Sequence, residues 1–256
     1  DLRFPLNLLV RGVEVIQQPD TLLSLESLNV RVQACPLLKG KVEVDEVTLS
    51  QVAVNSANLI EGMQIKGVLG RFFLQSHGVD LSNETAVVNR TELSDTHIQL
   101  LMTDTTTTPK DTTASAPVNW KVNLHQLKLK NVSFGMKLPA DSMKMAAYIG
   151  EATIDDAKAD LKNQFYGLKQ FLLSGASASY DTGEAQPSEG FDASHMAVRN
   201  IRIGLDSLLY EGRNMNAVIR EITMEERSGL SITSLTGRLF SNDSIIRIPE
   251  LKLQTP

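Results

Sequence analysis

The chain has 256 residues, 42% of them hydrophobic and 21% charged; this excludes a disordered chain and leaves room for one large all-β unit or two ordinary domains. Its net charge of −5, with no basic run, excludes general affinity for nucleic acid or for an anionic membrane surface. One cysteine, Cys35, excludes an intrachain disulfide and reads as a small buried apolar residue.

Along the chain, one spacing of apolar residues keeps returning. It is first seen at Leu8, Val10, Val13 and Val15, and again at Leu23, Leu25, Leu28 and Val30. The first long copy is "VEVDEVTLSQVAV", where Val42 and Val44, Val47 and Leu49, and Val52 and Val54 form three pairs. Members of a pair are two residues apart, and each pair starts five after the last. On a helix these positions scatter and make no stripe. Within a pair the period is two, so each pair points to one face of a strand. Between pairs the parity flips. Either a β-bulge absorbs the extra residue, or the strand bends there. Kinks are expected near Asp45–Glu46 and Ser50–Gln51 of a curved strand, and the β-branched residues favour strand.

The stretch around Ser56 to Ile65 is a helix candidate. "TDTTTTPKDTTASAP", residues 103–117, reads as a linker or exposed loop. It separates a first region, 1–102, from a second, 118–256. The second long copy follows in "VNLHQLKLKNVSF", with Val122, Leu124, Leu127, Leu129, Val132 and Phe134 at the same spacings and every spacer polar. Residues 160–173 fit a helical face or two short strands, and the strand reading is preferred. "YDTGEAQPSEG", 180–190, reads as a loop. Shorter copies follow at Met196, Val198, Ile201 and Ile203, and at Ile246, Ile248, Leu251 and Leu253. At this apolar content a four-position match arises by chance about eight times in such a chain, whereas a six-position match with polar spacers arises well under once. The two long copies carry the argument. Turn signals such as "QQPD", "KLPADS" and "YEGRN" recur, as expected for sequential antiparallel strands in an all-β fold with few or no helices.

Motifs for chemistry are missing. His77, His97, His125 and His195 form no metal motif and are expected on strand or loop surfaces. There is no nucleophile elbow, Walker loop or dinucleotide fingerprint. The adjacent acids Asp45–Glu46, Asp155–Asp156 and Glu225–Glu226 would point to opposite faces of a strand, which suits solvated residues better than a glycosidase pair. Asn-x-Ser/Thr sequons begin at Asn83, Asn89, Asn131 and Asn242. No catalytic residue, cofactor or metal ligand is expected, and the chain does not read as an enzyme. No apolar run is long enough for a bilayer span, yet the chain opens and closes in mid-pattern, as a segment of a longer polypeptide would.

Several stretches resemble a known family. "DTLLSLESLNVRVQACPLLKGKVEVDEVTLSQVAV", "VNWKVNLHQLKLKNVSFGMKLP" and "FDASHMAVRNIRIGLDSLLYEG" are similar to the repeats of the AsmA/TamB superfamily of Gram-negative envelope proteins, in the form found in Bacteroides-like bacteria. The similarity covers nearly the whole chain outside the Thr-rich stretch. It implies an elongated, strongly curved antiparallel sheet forming an open hydrophobic groove. It also implies a periplasmic location in an inner-membrane-anchored protein, with the anchor absent from this segment. The implied work is carrying phospholipid acyl chains between the two membranes, with an outer-membrane barrel partner engaged through regions outside this segment. The alternative is an assembly module that assists outer-membrane protein insertion and carries no lipid. The groove-facing candidates are the twelve residues of the two long copies together with Ile201 and Ile203. An adhesin-like β-sandwich is a further alternative.

Overall fold

A computed structural model describes residues 5–17, 20–38, 43–56, 59, 62–80, 83–102, 119–183 and 186–256. Strands hold 79% of the described residues and helices 3%. In chain order the strands are β1 (Pro5–Gln17), β2 (Asp20–Gln33), β3 (Val44–Asn55), β4 (Met63–Asp80), β5 (Thr85–Met102), β6 (Lys121–Leu138) and β7 (Met143–Asp160). There follow β8 (Phe165–Leu168), β9 (Gln170–Asp181), β10 (His195–Glu211), β11 (Asn214–Glu226), β12 (Ser231–Ser241), β13 (Ile246–Arg247) and β14 (Lys252–Gln254). A five-residue helix, α1 (Ala34–Leu38), lies between β2 and β3. The strands β4 to β7 have 18 residues each, so each is about 60 Å long, three times the common strand.

All fourteen strands belong to one strongly curved sheet. Neighbours follow chain order from β1 to β7. Both β8 and β9, which are one strand interrupted at Lys169, lie between β7 and β10, and β11 and β12 complete the path. Among the described residues every pairing is antiparallel except one. β5 and β6 run parallel from Thr85↔Lys121 to Leu101↔Lys137. The expected antiparallel sheet is therefore a mixed one. Parallel neighbours need a connection that returns over the strand length, and the Thr-rich stretch, outside the described residues, falls in that connection. The sheet itself is continuous between the regions on either side.

Hydrogen-bond register turns the alternation of single strands into rows that run across the whole sheet. One row reads Val10, Leu28, Leu49, Phe72, Leu93, Leu129, Ala152, Leu173, Ile203, Ile222, Leu235 and Leu253, apolar at every strand. A second reads Leu8, Val30, Val47, Leu74, Thr91, Leu127, Ile154, Phe171 and Leu205. Between and beyond them lie rows of the opposite alternation. Asn7, Arg31, Glu46, Gln75, Arg90, Gln126, Asp155 and Gln170 form one in which every residue is polar. Within it Arg31 donates to Asn7 at 3.2 Å and to Glu46 at 3.4 Å, and Gln126 donates to Asp155 at 3.2 Å. Opposed residues on one face are the unit of sheet stabilisation, and here each face is chemically consistent over many strands.

The parity flips are bends. Gln51 has φ 47°, between Leu49 and Val52, and Asn131 has φ 53°, between Leu129 and Val132. Gly12, Asp95 and Gly175 take the same left-handed conformation at the same level of β1, β5 and β9. Between β3 and β4 the register does not slip there, since Leu49↔Phe72 and Val52↔Leu69 bracket the bend with equal residue counts on both strands, whereas between β9 and β10 it shifts on both sides of Ile201. A line of left-handed residues thus crosses the sheet on β1, β3, β5, β6, β9 and β10, where the apolar spacing changes parity. Gly, Asn and Asp tolerate this conformation best, and they supply all but Gln51. Glycines opposite the line make room: a Cβ on Gly70 would stand 2.7 Å from the Asp95 Cβ, and one on Gly150 would stand 2.9 Å from the Gly175 oxygen. The other expected kink, near Asp45–Glu46, coincides with a register shift between β2 and β3.

Turns reuse one chemistry. In "DLSNE" and "DLKNQ" the Asn backbone N–H and amide both donate to the preceding Asp, at 3.0 and 2.7 Å for Asn83–Asp80 and at 3.1 and 2.8 Å for Asn163–Asp160. The residue that follows, Glu84 or Gln164, is left-handed. Three of the four sequons start at such special positions, because Asn131 bends β6 and Asn242 accepts the Ser244 and Ile245 N–H groups. Residues 160–173 form a turn and strands, as preferred from sequence. The candidate helix at 56–65 lies partly outside the described residues, and Met63 to Ile65 belong to β4. Cys35 is exposed, against expectation, because it sits on α1 at the hairpin end and not in the sheet.

Candidate functional site

Among the described residues no packed layer lies over the apolar rows. Among the described residues the buried apolar ones are all alanines, Ala86, Ala152, Ala176 and Ala217, and no large side chain is fully buried. The total accessible surface is 16584 Å², against about 11,000 Å² for a compact monomer of this mass. A sandwich would bury Leu, Ile and Phe between two sheets. Here those residues stay half-buried, each covered by its lateral neighbours and by the curvature of the sheet.

Register brings the sequence-predicted residues together from three distant stretches. Leu49, Leu129 and Ile203 share one row, and Val47 and Leu127 another. Val52 and Val132 lie on a third, with Leu25, Leu69, Thr96 and Ile149. Ile201 stands opposite Ala176 at the same level. Val54 and Phe134 share a fourth row, with Gly67, Ile98, Ala147, Ala178 and Val198. Val44 faces Val32, and its carbonyl accepts the Ser76 hydroxyl. Leu124 lies between Val88 and Ala157, and Val122 between Ala86 and Ala159. Val42 lies outside the described residues.

Exposure changes along the strands. Thr96 and Ala152 are 3% and 4% exposed, at the middle of the sheet, while Val54, Ile98 and Phe134 in the fourth row are 41%, 39% and 39% exposed. Beyond the line of bends a cavity of about 1250 Å³ opens between the ends of β4 and β12. Phe134 is the one predicted residue in its lining. Most of the lining comes from the alternation set opposite to the fourth row. His97, Ser133, Tyr148 and Ser177 follow one another across it. The His97 Nδ1 and Ser133 Oγ are 2.5 Å apart, and Gln99 Nε2 is 2.9 Å from His97 Nε2. Small residues, Gly135, Ala146 and Ser179, make the next row and leave the space open.

Two carboxylates at this end have structural duties. Glu226 is buried, unlike the solvated acid expected from sequence, and accepts the Ser228 N–H at 2.6 Å and the Ala197 N–H at 3.3 Å. The Ser228 contacts, side chain first, hold its carboxyl below the usual range. His195, expected at the surface, is buried, with Nδ1 3.0 Å from Asp192. Asp192 also accepts the Ser188 and Ser194 N–H groups at 3.0 and 2.9 Å, and Ser188 and then His195 hold it well below the ordinary carboxylate range. These bonds tie the loop before β10 to the sheet. At the outer face Asp156, left-handed at φ 49°, is held low by Lys169 at 2.9 Å and by His125 at 3.1 Å. Among the described residues no group of three or more His, Cys, Asp or Glu could hold a metal ion, and no helix is long and apolar enough to cross a membrane.

No model of a known protein family matches the chain, and no curated protein matches it.

The bending line is the part of the site that sequence reasoning left unnamed. Its signal was present: a Gly, Asn or Asp stands directly before the apolar residue that opens the next pair, as in Gly12–Val13, Asn131–Val132, Gly175–Ala176 and Asn200–Ile201.

Proposed function

We propose that this chain is a groove segment of a periplasmic, inner-membrane-anchored envelope protein, and that its apolar rows carry phospholipid acyl chains between the inner and outer membranes. The observation that supports this reading is the row from Val10 to Leu253, apolar on twelve strands and covered by no second layer among the described residues. Half-exposed apolar area of that extent marks a ligand or partner surface. Acyl chains suit it, because they need burial and no directional polar contact. A continuous row also lets a chain move sideways without crossing a polar barrier. The resemblance to the AsmA/TamB repeats points to the same cargo and location, and to a barrel partner reached through other regions. Such a role needs no catalytic residue.

The test has two arms. Mass spectrometry of lipids extracted from the purified chain is expected to find phospholipid. Leu124→Asp with Leu129→Asp, placed in the complete protein, is expected to abolish lipid recovery and to weaken the envelope while the β-rich circular dichroism spectrum persists. A folded double variant with an intact envelope would sink the conduit reading and favour an assembly module that carries no lipid.

A further inference from the structure

The cavity beyond the bends differs in charge from the rest of the molecule. Its lining holds five cationic side chains, Lys66, Lys137, Lys144, Arg199 and Arg227, against three carboxylates, Asp181, Glu225 and Glu226, a net of +2 in a chain whose net charge is −5. Two of those carboxylates are already engaged: Glu225 by Arg199 at 3.0 Å, and Glu226 by the Ser228 and Ala197 N–H groups. Among the described residues Lys66, Lys137 and Lys144 take part in no ion pair.

The placement of the lysines is informative. Lys137 and Lys144 are direct cross-strand partners on β6 and β7, so their ammonium groups leave the same face side by side. Asp181 stands opposite Lys144 without pairing to it. Like charges directly opposite each other destabilise a sheet. The polar rows elsewhere avoid this: Arg31 faces Glu46 and Lys121 faces Asp160. Lys66 lies on the same face, because it is opposite Gln99, which is opposite Gly135, two residues before Lys137. Gly135 and Ala146 leave the space between the three lysines unfilled. Leu101, opposite Lys137, shares the lysines' alternation with Ala146 and Tyr148, and all three line the cavity; Leu100, Met136 and Met145, of the other alternation, also border it.

We propose that this cavity is a phosphate-ester site, in which Lys66, Lys137 and Lys144 hold the head of an anionic lipid while the neighbouring apolar residues meet the start of its tails. The inference rests on the lipid reading for the tails and adds selection by charge. A dianionic or monoanionic phosphate offers several acceptor oxygens to ammonium groups that pair with no carboxylate among the described residues. It also relieves the Lys137–Lys144 repulsion on binding.

The test is equilibrium titration of the whole chain with three soluble probes: dioctanoyl phosphatidic acid, dioctanoylglycerol and inorganic phosphate. The phosphatidic acid is expected to bind about tenfold tighter than the uncharged diglyceride at low ionic strength, with the advantage shrinking as salt rises. In Lys137→Gln with Lys144→Gln that advantage is expected to vanish while diglyceride affinity is unchanged. Removing the repulsion should leave the unliganded melting temperature of this variant equal to or above that of the parent. Should the double variant melt well below the parent, Lys66→Gln replaces it and is expected to lose most of the advantage. Equal binding of the two lipids to the parent overturns the phosphate site and leaves the lipid reading standing. No binding of either lipid overturns both. Inorganic phosphate binding as tightly as phosphatidic acid assigns the cavity to a free anion and overturns the lipid headgroup.

Discussion

The two sides of the line of bends use the same strands for different purposes. On one side β3 carries Val47 and Leu49, half-buried in rows that stay apolar across nearly every strand. On the other it carries Val54, in a row that thins to Gly67, Ala147 and Ala178 and reaches Glu226 at β11. There the opposite alternation gains importance, with His97, Ser133, Tyr148 and three lysines that form no ion pair among the described residues around an open cavity. A single strand can therefore support two surfaces, provided its direction is reset between them. The reset costs left-handed residues and glycine neighbours, and it recurs at one level on β1, β3, β5, β6, β9 and β10.

Breaking that line should give the largest effect. Gly70→Ala is expected to destabilise the protein by about 1–3 kcal/mol, since the new Cβ meets the Asp95 Cβ and carbonyl oxygen and backbone must move. Gly135→Ala, whose Cβ would meet nothing closer than 3.9 Å, is the control and should stay within about 0.5 kcal/mol of the parent in urea melts. Similar losses for both would mean that the bend level tolerates crowding as well as the cavity does.

Next in size is a contrast within β3. Leu49→Ala removes a half-buried residue of the twelve-strand row and should cost roughly 1–2 kcal/mol, whereas Val54→Ala, at a 41% exposed site, should cost under about 1 kcal/mol. Equal losses in denaturant titrations would erase the distinction between the two sides.

Asn131 separates them on β6. Asn131→Gly should be nearly neutral, and Asn131→Val should lose about 1–2 kcal/mol, because a β-branched residue resists φ 53°. If valine is as stable as glycine, the strand does not need its left-handed residue.

Acid should produce the mildest and most local change. Asp192 and Glu226 have carboxyls held below their ordinary range in the folded protein. Their stabilising contribution is therefore full above the unfolded-state values near 4 and is lost as pH falls through the lowered ones. Hydrogen exchange at pH 3, corrected for intrinsic rates, should show amides of His195–Val198 losing protection before those of Leu127–Leu129. Uniform loss across the sheet would show that these carboxylates do not hold the cavity end in particular.

Much of this architecture was legible locally. Pairs two apart declare strands, and the extra spacer between pairs declares a bend, because alternation and left-handed strain belong to the single strand. Both bends expected in "VEVDEVTLSQVAV" are found, one as a left-handed Gln51 and one as a register shift near Asp45. The exceptions came from neighbours that no local window contains. His195 is buried because Asp192 and the end of β9 close over it, and Glu226 is buried because the turn after β11 folds its N–H groups onto the carboxylate. Cys35 is exposed because a helical turn lifts it off the sheet.

The sequence by itself determined that this protein is built from long, two-faced, repeatedly bent strands, since side-chain alternation and the preference of Gly, Asn and Asp for the bends are properties of a few consecutive residues. Only the tertiary structure decided that Leu49, Leu129 and Ile203 share one row, that β5 and β6 run parallel, and that Lys137 and Lys144 stand side by side at a cavity. Those facts depend on hydrogen-bond register between segments far apart in the chain, and register is settled by the sum of many lateral pairs.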